Sequence, residues 1–160
     1  MMIFPTGVFS PDGYIISQKP FDEIEFKDST VADTGCGVIA VYNVLRRLNM
    51  SPNFSEIKNY VARNSLTTKL GTSFSNIIGY LRKKGVYGGL CFCKRGFSKV
   101  SVGILLYAHK QGLHWVAFYK DGDGFRFFNV YKGYEKEVVT MDAFLKSYSA
   151  GIIKCVIKVG

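Results

Sequence analysis

The chain has 160 residues, 48% of them apolar and 15% aromatic, which is the size of one domain with enough apolar side chain to fill a core, and excludes disorder. No run of about 18 apolar residues occurs, which excludes a membrane-spanning helix, and Pro5, Pro11 and Asp12 interrupt the N-terminus where a secretory leader needs an apolar centre, so a cytoplasmic location is expected. The net charge of +9 is densest at Arg82-Lys83-Lys84 and Lys94-Arg95 but otherwise scattered, as on a solvated face, and no nucleic-acid partner is expected from it.

In chain order, Gly13 to Ser17 and Phe21 to Phe26 read as short extended segments. The polar stretch Lys27 to Thr34 then leads into Gly35-Cys36-Gly37. From Val38 onward Val38, Val41, Leu45 and Leu48 recur at helical spacing, with Ile39, Ala40 and Val44 beside them, which predicts a buried helix opened by Cys36. A thiol there faces backbone N–H groups that lack partners within the helix and sits at the positive end of the helix dipole. Both effects favour the thiolate, and a glycine on each side lets another backbone or a substrate approach closely. Cys36 is therefore read as a nucleophile, against the plain alternative of a small packed residue.

A second helix is predicted from Asn53, which can cap it with Glu56 three residues on, and a third after Thr72, ending at Gly85 behind Arg82, Lys83 and Lys84. The second half changes character. Val86 to Cys93, Val100 to Ala108, Leu113 to Lys120, Phe125 to Tyr131 and Ile152 to Val159 are β-branched and aromatic runs, interrupted by a short helix capped by Thr140. Helices first and strands afterwards predict an α+β domain with an antiparallel sheet, with residues 1–160 forming a single unit. Cys91 and Cys93 alternate in their run and read as small core residues on one strand face. With Cys36, Cys155 and two histidines they make no set at zinc-site spacing, so neither metal nor organic cofactor is expected.

A cysteine nucleophile needs a histidine for its proton and a third group to orient the ring. His109 falls in a polar turn and reads as a solvated loop residue, whereas His114 opens the apolar strand Leu113 to Tyr119. The turn Asp121-Gly122-Asp123-Gly124 joins this strand to Phe125 to Tyr131 as a hairpin. If Lys120 pairs with Phe125, His114 lies opposite Tyr131 and Asn129 falls on the same face, a diagonal neighbour about 7–8 Å away. A slip of one residue would send Asn129 to the other face.

The order Cys36, His114, Asn129 resembles the papain-like cysteine peptidase superfamily. Within it, Gly35-Cys36-Gly37-Val38-Ile39-Ala40 resembles the Cys-Gly-x-x-Ala helix start of the bacterial bacteriocin-processing, double-glycine leader peptidase branch and its free-standing relatives. Gly112 to Tyr119 and Phe127 to Val130 resemble that branch's histidine and acid strands. The resemblance implies a papain-like cysteine protease fold, with N-terminal helices packed on a C-terminal antiparallel sheet. It implies attack by Cys36 on a peptide or amide carbonyl, with His114 carrying the proton, Asn129 orienting the ring, and the backbone N–H of Cys36 in an oxyanion hole. It also implies a peptide or protein substrate, with small residues beside the cut. Two features depart from the pattern. The third position is asparagine where the leader peptidases usually have aspartate, and no glutamine lies in Lys27 to Thr34 to supply the second oxyanion donor. The nearest upstream one is Gln18, and Ser29, Thr30 or a backbone amide are the substitutes in sequence. A non-catalytic module binding peptides in the same groove, and an acyltransferase on the same fold, are the competing functions.

Overall fold

The structure, a computed structural model, describes residues 2–130 and 135–160. A 3-10 turn at Lys19–Phe21 and a two-stranded ribbon, β1 (Glu25–Phe26) and β2 (Ser29–Thr30), precede a four-residue helix, α1 (Val31–Thr34). Gly35 separates it from α2 (Cys36–Arg47), and α3 (Phe54–Arg63) and α4 (Phe74–Lys83) follow. The remaining elements are β3 (Tyr87–Cys91), a one-turn α5 (Lys94–Phe97), β4 (Val102–His109), β5 (Gly112–Asp121), β6 (Gly124–Phe128), β7 (Glu135–Val139), α6 (Met141–Tyr148) and β8 (Lys154–Val159). The six larger strands form one antiparallel sheet in the order β3-β8-β4-β5-β6-β7.

Most predicted elements are present, α3 and α6 with the caps predicted for them. Asn53, Ser73 and Thr140 cap α3, α4 and α6 by accepting the N–H of Glu56, Asn76 and Ala143, each three residues on. Phe21 to Phe26 is not one extended segment, because Pro20 sets the backbone for a 3-10 turn and only Glu25 and Phe26 pair. The polar stretch before Cys36 holds α1, capped by the Thr30 hydroxyl on the Asp33 N–H. The run Val86 to Cys93 stops pairing at Cys91 opposite Val156, so Cys93 leaves the strand and stands exposed instead of in the core.

Strand alternation divides the core in two. Ile104, Trp115, Ala117 and Ile157 face α2, where Val38, Ile39, Val41, Val44 and Leu45 are buried with them. Leu105, Val116, Phe118, Phe127 and Val156 face the other way, onto Phe97 of α5 and Phe144 and Leu145 of α6. Each fully buried side chain of this size contributes about 1.5–3 kcal/mol, so docking on the sheet, not intrinsic propensity, holds α2 in place.

One polar side chain breaks the apolar surface of α2. Asn43 is 1% exposed, and its amide accepts the Ile15 N–H and donates to the Ile15 carbonyl, both at 2.8 Å. It thus pairs with the N-terminal segment as a strand would. Asn43→Ala removes both partners of a buried peptide and is expected to cost on the order of 1–3 kcal/mol, read as a lower urea midpoint with an unchanged slope. A stability equal to that of the unmodified chain would contradict this role.

Candidate active site

Cys36 is the first residue of α2, where the sequence puts it, and Gly35 and Gly37 are there for steric reasons. A Cβ at Gly35 would lie 2.6 Å from the Val31 carbonyl, and one at Gly37 would lie 2.4 Å from Thr72 Cβ. Both faces of the helix start are therefore in close contact, with α1 on one side and the α3–α4 loop on the other. That loop is also held from the sheet, because the Trp115 indole N–H donates to the Thr72 carbonyl at 3.0 Å. Asp28 fixes its middle, accepting from the Thr68 N–H at 2.7 Å and from the Thr67 hydroxyl.

The thiol lies against β5. Backbone N–H groups of Trp115, Gly37 and Cys36 itself favour its charged form, but burial outweighs them and pushes the thiol above its ordinary range. With the residue 8% exposed, loss of hydration is the larger effect, and the thiolate expected from the helix start alone is not the resting form.

His114 is one residue before Trp115 and faces the opposite way. Its cross-strand partner is Tyr107, and its ring lies 5.7 Å from the Tyr107 ring and 6.2 Å from that of His109, on the α6 side of the sheet. His109 thus ends β4 half-buried beside His114, and is not the solvated turn residue that its neighbours suggested. Burial pulls the His114 ring down to about 4, against the raising effect of its bond to Asn129. The imidazole is neutral at pH 7.

Asn129 reaches His114 in a way that strand pairing did not anticipate. Lys120 does pair with Phe125, but β6 ends at Phe128, and Asn129 turns into the left-handed region at φ 60°. Its backbone carbonyl, not its amide, meets His114 Nε2, at 2.6 Å. A carbonyl can only accept, so Nε2 carries the proton and the lone pair of the neutral ring is on Nδ1. Tyr131, expected opposite His114, lies outside the described residues.

The Asn129 amide is engaged by Gln18. It accepts the Gln18 N–H and donates to the Gln18 side-chain oxygen, both at 2.9 Å, while the Gln18 amide donates to the Ala32 carbonyl at 2.7 Å. Gln18 therefore ties the turn after β6 to α1, just ahead of Cys36. Its distance in sequence hid this role: Gln18 lies eighteen positions before Cys36, and the β1–β2 ribbon folds that length back. Ser29 and Thr30, the alternative donors in sequence, are used locally, Ser29 with Thr34 and Thr68 and Thr30 as the α1 cap.

The structure thus brings His114, Asn129 and Gln18 together, and sets Cys36 against the peptide group beside His114. Near it, a cleft of about 540 Å³ between α4 and β3 begins at Phe74, whose ring lies 5.7 Å from that of Trp115, and continues past Ile78 to Tyr87 and Leu90. Among the described residues no group of three or more His, Cys, Asp or Glu side chains could hold a metal ion.

No family model and no curated protein matches the sequence. Among solved structures, the fold is similar to the peptidase domain of Streptococcus ComA, a bi-functional ABC transporter involved in a quorum-sensing pathway. The TM-score is 0.58 at 13% identity, over 86% of this chain and 93% of that one. The likeness is one of fold: the chain has the papain-like α+β architecture of that peptidase domain, with N-terminal helices packed on an antiparallel sheet.

Proposed function

We infer that the chain is a cysteine peptidase or amide hydrolase that works through a thioester on Cys36, with His114 carrying the proton and Asn129 holding the ring. The observation that carries this reading is the thiol at the first residue of a buried helix, with three backbone N–H groups favouring its charge, on a fold shared with a peptidase domain. The Cys36 sulfur attacks the substrate carbonyl carbon and its proton passes to the His114 ring, which in this reading turns toward the sulfur from the α6 side of β5. The carbonyl oxygen becomes an oxyanion beside the helix start, where one such donor is worth about 3–4 kcal/mol in the transition state. The proton then goes to the leaving amine, and water, activated by the same ring, hydrolyses the thioester. The Gln18 amide, once released from Ala32, is the candidate second oxyanion donor.

A neutral thiol and a neutral imidazole suit this sequence of steps, because no buried ion pair has to be maintained before substrate arrives. The competing reading, a peptide-binding module, is favoured by the side-chain pair between Asn129 and Gln18, which leaves the amide facing away from the ring. Peptides carrying two consecutive glycines, incubated with the protein and analysed by mass spectrometry, separate the two. Cleavage after the glycines is expected, abolished in Cys36→Ala and reduced by at least about a hundredfold in His114→Ala. Because a backbone carbonyl holds the ring, Asn129→Gly is expected to retain more activity than Asn129→Ala, glycine being the better residue at positive φ. Saturable binding without cleavage would instead favour the module.

The buried ring also makes a stability prediction. Its folded pKa, about 4, is below the ordinary 6.5, so the unfolded chain takes up the proton first as pH falls. The contribution is intact above pH 6.5 and is lost as pH drops toward 4. Unfolding free energies from urea titrations across that window are expected to fall for the unmodified chain by on the order of 1–3 kcal/mol more than for His114→Gln. Parallel curves for the two would show that the ring is not held neutral by burial.

A further inference from the structure

The second pair of cysteines lies apart from this site, and its local geometry is unlike that of packed core thiols. Cys91 ends the edge strand β3, and its pairing with Val156 is the last in the ladder, so residues 92 and 93 are held by no strand partner on that register. The chain turns back at once: the Gly96 N–H donates to the Cys93 carbonyl at 2.8 Å, and the Cys91 thiol lies 3.5 Å from the same oxygen. Gly96 has no side chain to displace that sulfur, since a Cβ there would be 2.6 Å from it. Phe92, between the two cysteines, is 68% exposed and directed outward, and Cys93 is exposed. The turn thus seats one half-buried sulfur against the backbone of the residue that carries the other, accessible one.

We propose that Cys91 and Cys93 form a thiol–disulfide exchange site, an accessible attacking thiol and a half-buried resolving thiol, whose reaction partner is a low-molecular-weight disulfide. The Cys93 sulfur, as thiolate, attacks one sulfur of that disulfide; a mixed disulfide forms and one small thiol leaves. The Cys91 sulfur then attacks Cys93 in the mixed disulfide, giving the Cys91–Cys93 bond and releasing the second small thiol. The protein loses two hydrogens and two electrons, and the small disulfide is reduced to two thiols. Cys93 lies beyond the last ladder pair, so it takes part in no hydrogen bond of the β3–β8 ladder. A bond closing so small a ring is strained and therefore readily reduced, the property of an exchangeable disulfide and not of a structural one.

The test uses oxidised glutathione on the full chain carrying Cys36→Ser, which removes the nucleophile of the other site. Peptide mass mapping is expected to show the fragment bearing Cys91 and Cys93 short by two hydrogens, without a lasting glutathione adduct, and restored by dithiothreitol. With Cys91→Ser added, glutathione is expected to accumulate on Cys93. With Cys93→Ser added, adduct formation at Cys91 is expected to be at least about tenfold slower. A stable adduct on Cys93 while Cys91 is present, or no reaction at either residue, would overturn the proposal. Neither result bears on the peptidase reading, which rests on Cys36.

Discussion

The site depends on the burial of α2 against β5. That packing brings the first turn of the helix to the backbone of Trp115 and fills the α2-facing side of the sheet with Val38, Val41, Val44 and Leu45, while Val31 of α1 and Thr72 of the α3–α4 loop leave no room for a side chain at residues 35 and 37. The same burial has an electrostatic cost. Three N–H groups at a helix start favour a thiolate, yet removing the sulfur from water disfavours it more, and the buried imidazole is driven to its neutral form for the same reason. One cause, loss of hydration, moves the two groups in opposite directions, and both end uncharged.

In the proposed peptidase reading, the charge-forming step falls at the moment when substrate occupies the site. Ion pairs in a dry interior are favourable only when further hydrogen bonds compensate for lost hydration. Before that moment the structure supplies the fixed parts: the N–H groups around the sulfur, the carbonyl of Asn129 on the ring, and the Gln18 bracket that joins the turn after β6 to α1. Asn129 contributes mainly through its backbone. Its positive φ turns the carbonyl toward His114 while its amide anchors the turn from the other side.

The parts legible in sequence were those fixed by local chemistry or by strict period. The cap residues Asn53 and Thr140, the apolar face of α2, the register of the β5–β6 hairpin and the α+β order follow from spacing, and the structure has them. What depended on where a strand ends was not legible. Alternation carried past Phe128 gives Asn129 the correct neighbour but the wrong atom, and alternation carried past Cys91 makes Cys93 a core residue when it is exposed. Gln18 was hidden by a long excursion of the chain that no spacing rule encodes. The balance between helix start and burial at Cys36 likewise requires the packed structure, since sequence reveals the favourable term and only packing sets the opposing one.

The central claim is that Cys36 forms a covalent acyl intermediate. Rapid acid quenching of the protein mixed with a peptide thioester or ester ending in two glycines, followed by mass spectrometry of the intact chain, tests it most directly. The account predicts an acyl adduct that maps to Cys36, is released by hydroxylamine and does not form in Cys36→Ser. Binding of the same peptide with no adduct at Cys36 at any quench time would contradict it and make the fold a peptide-binding one.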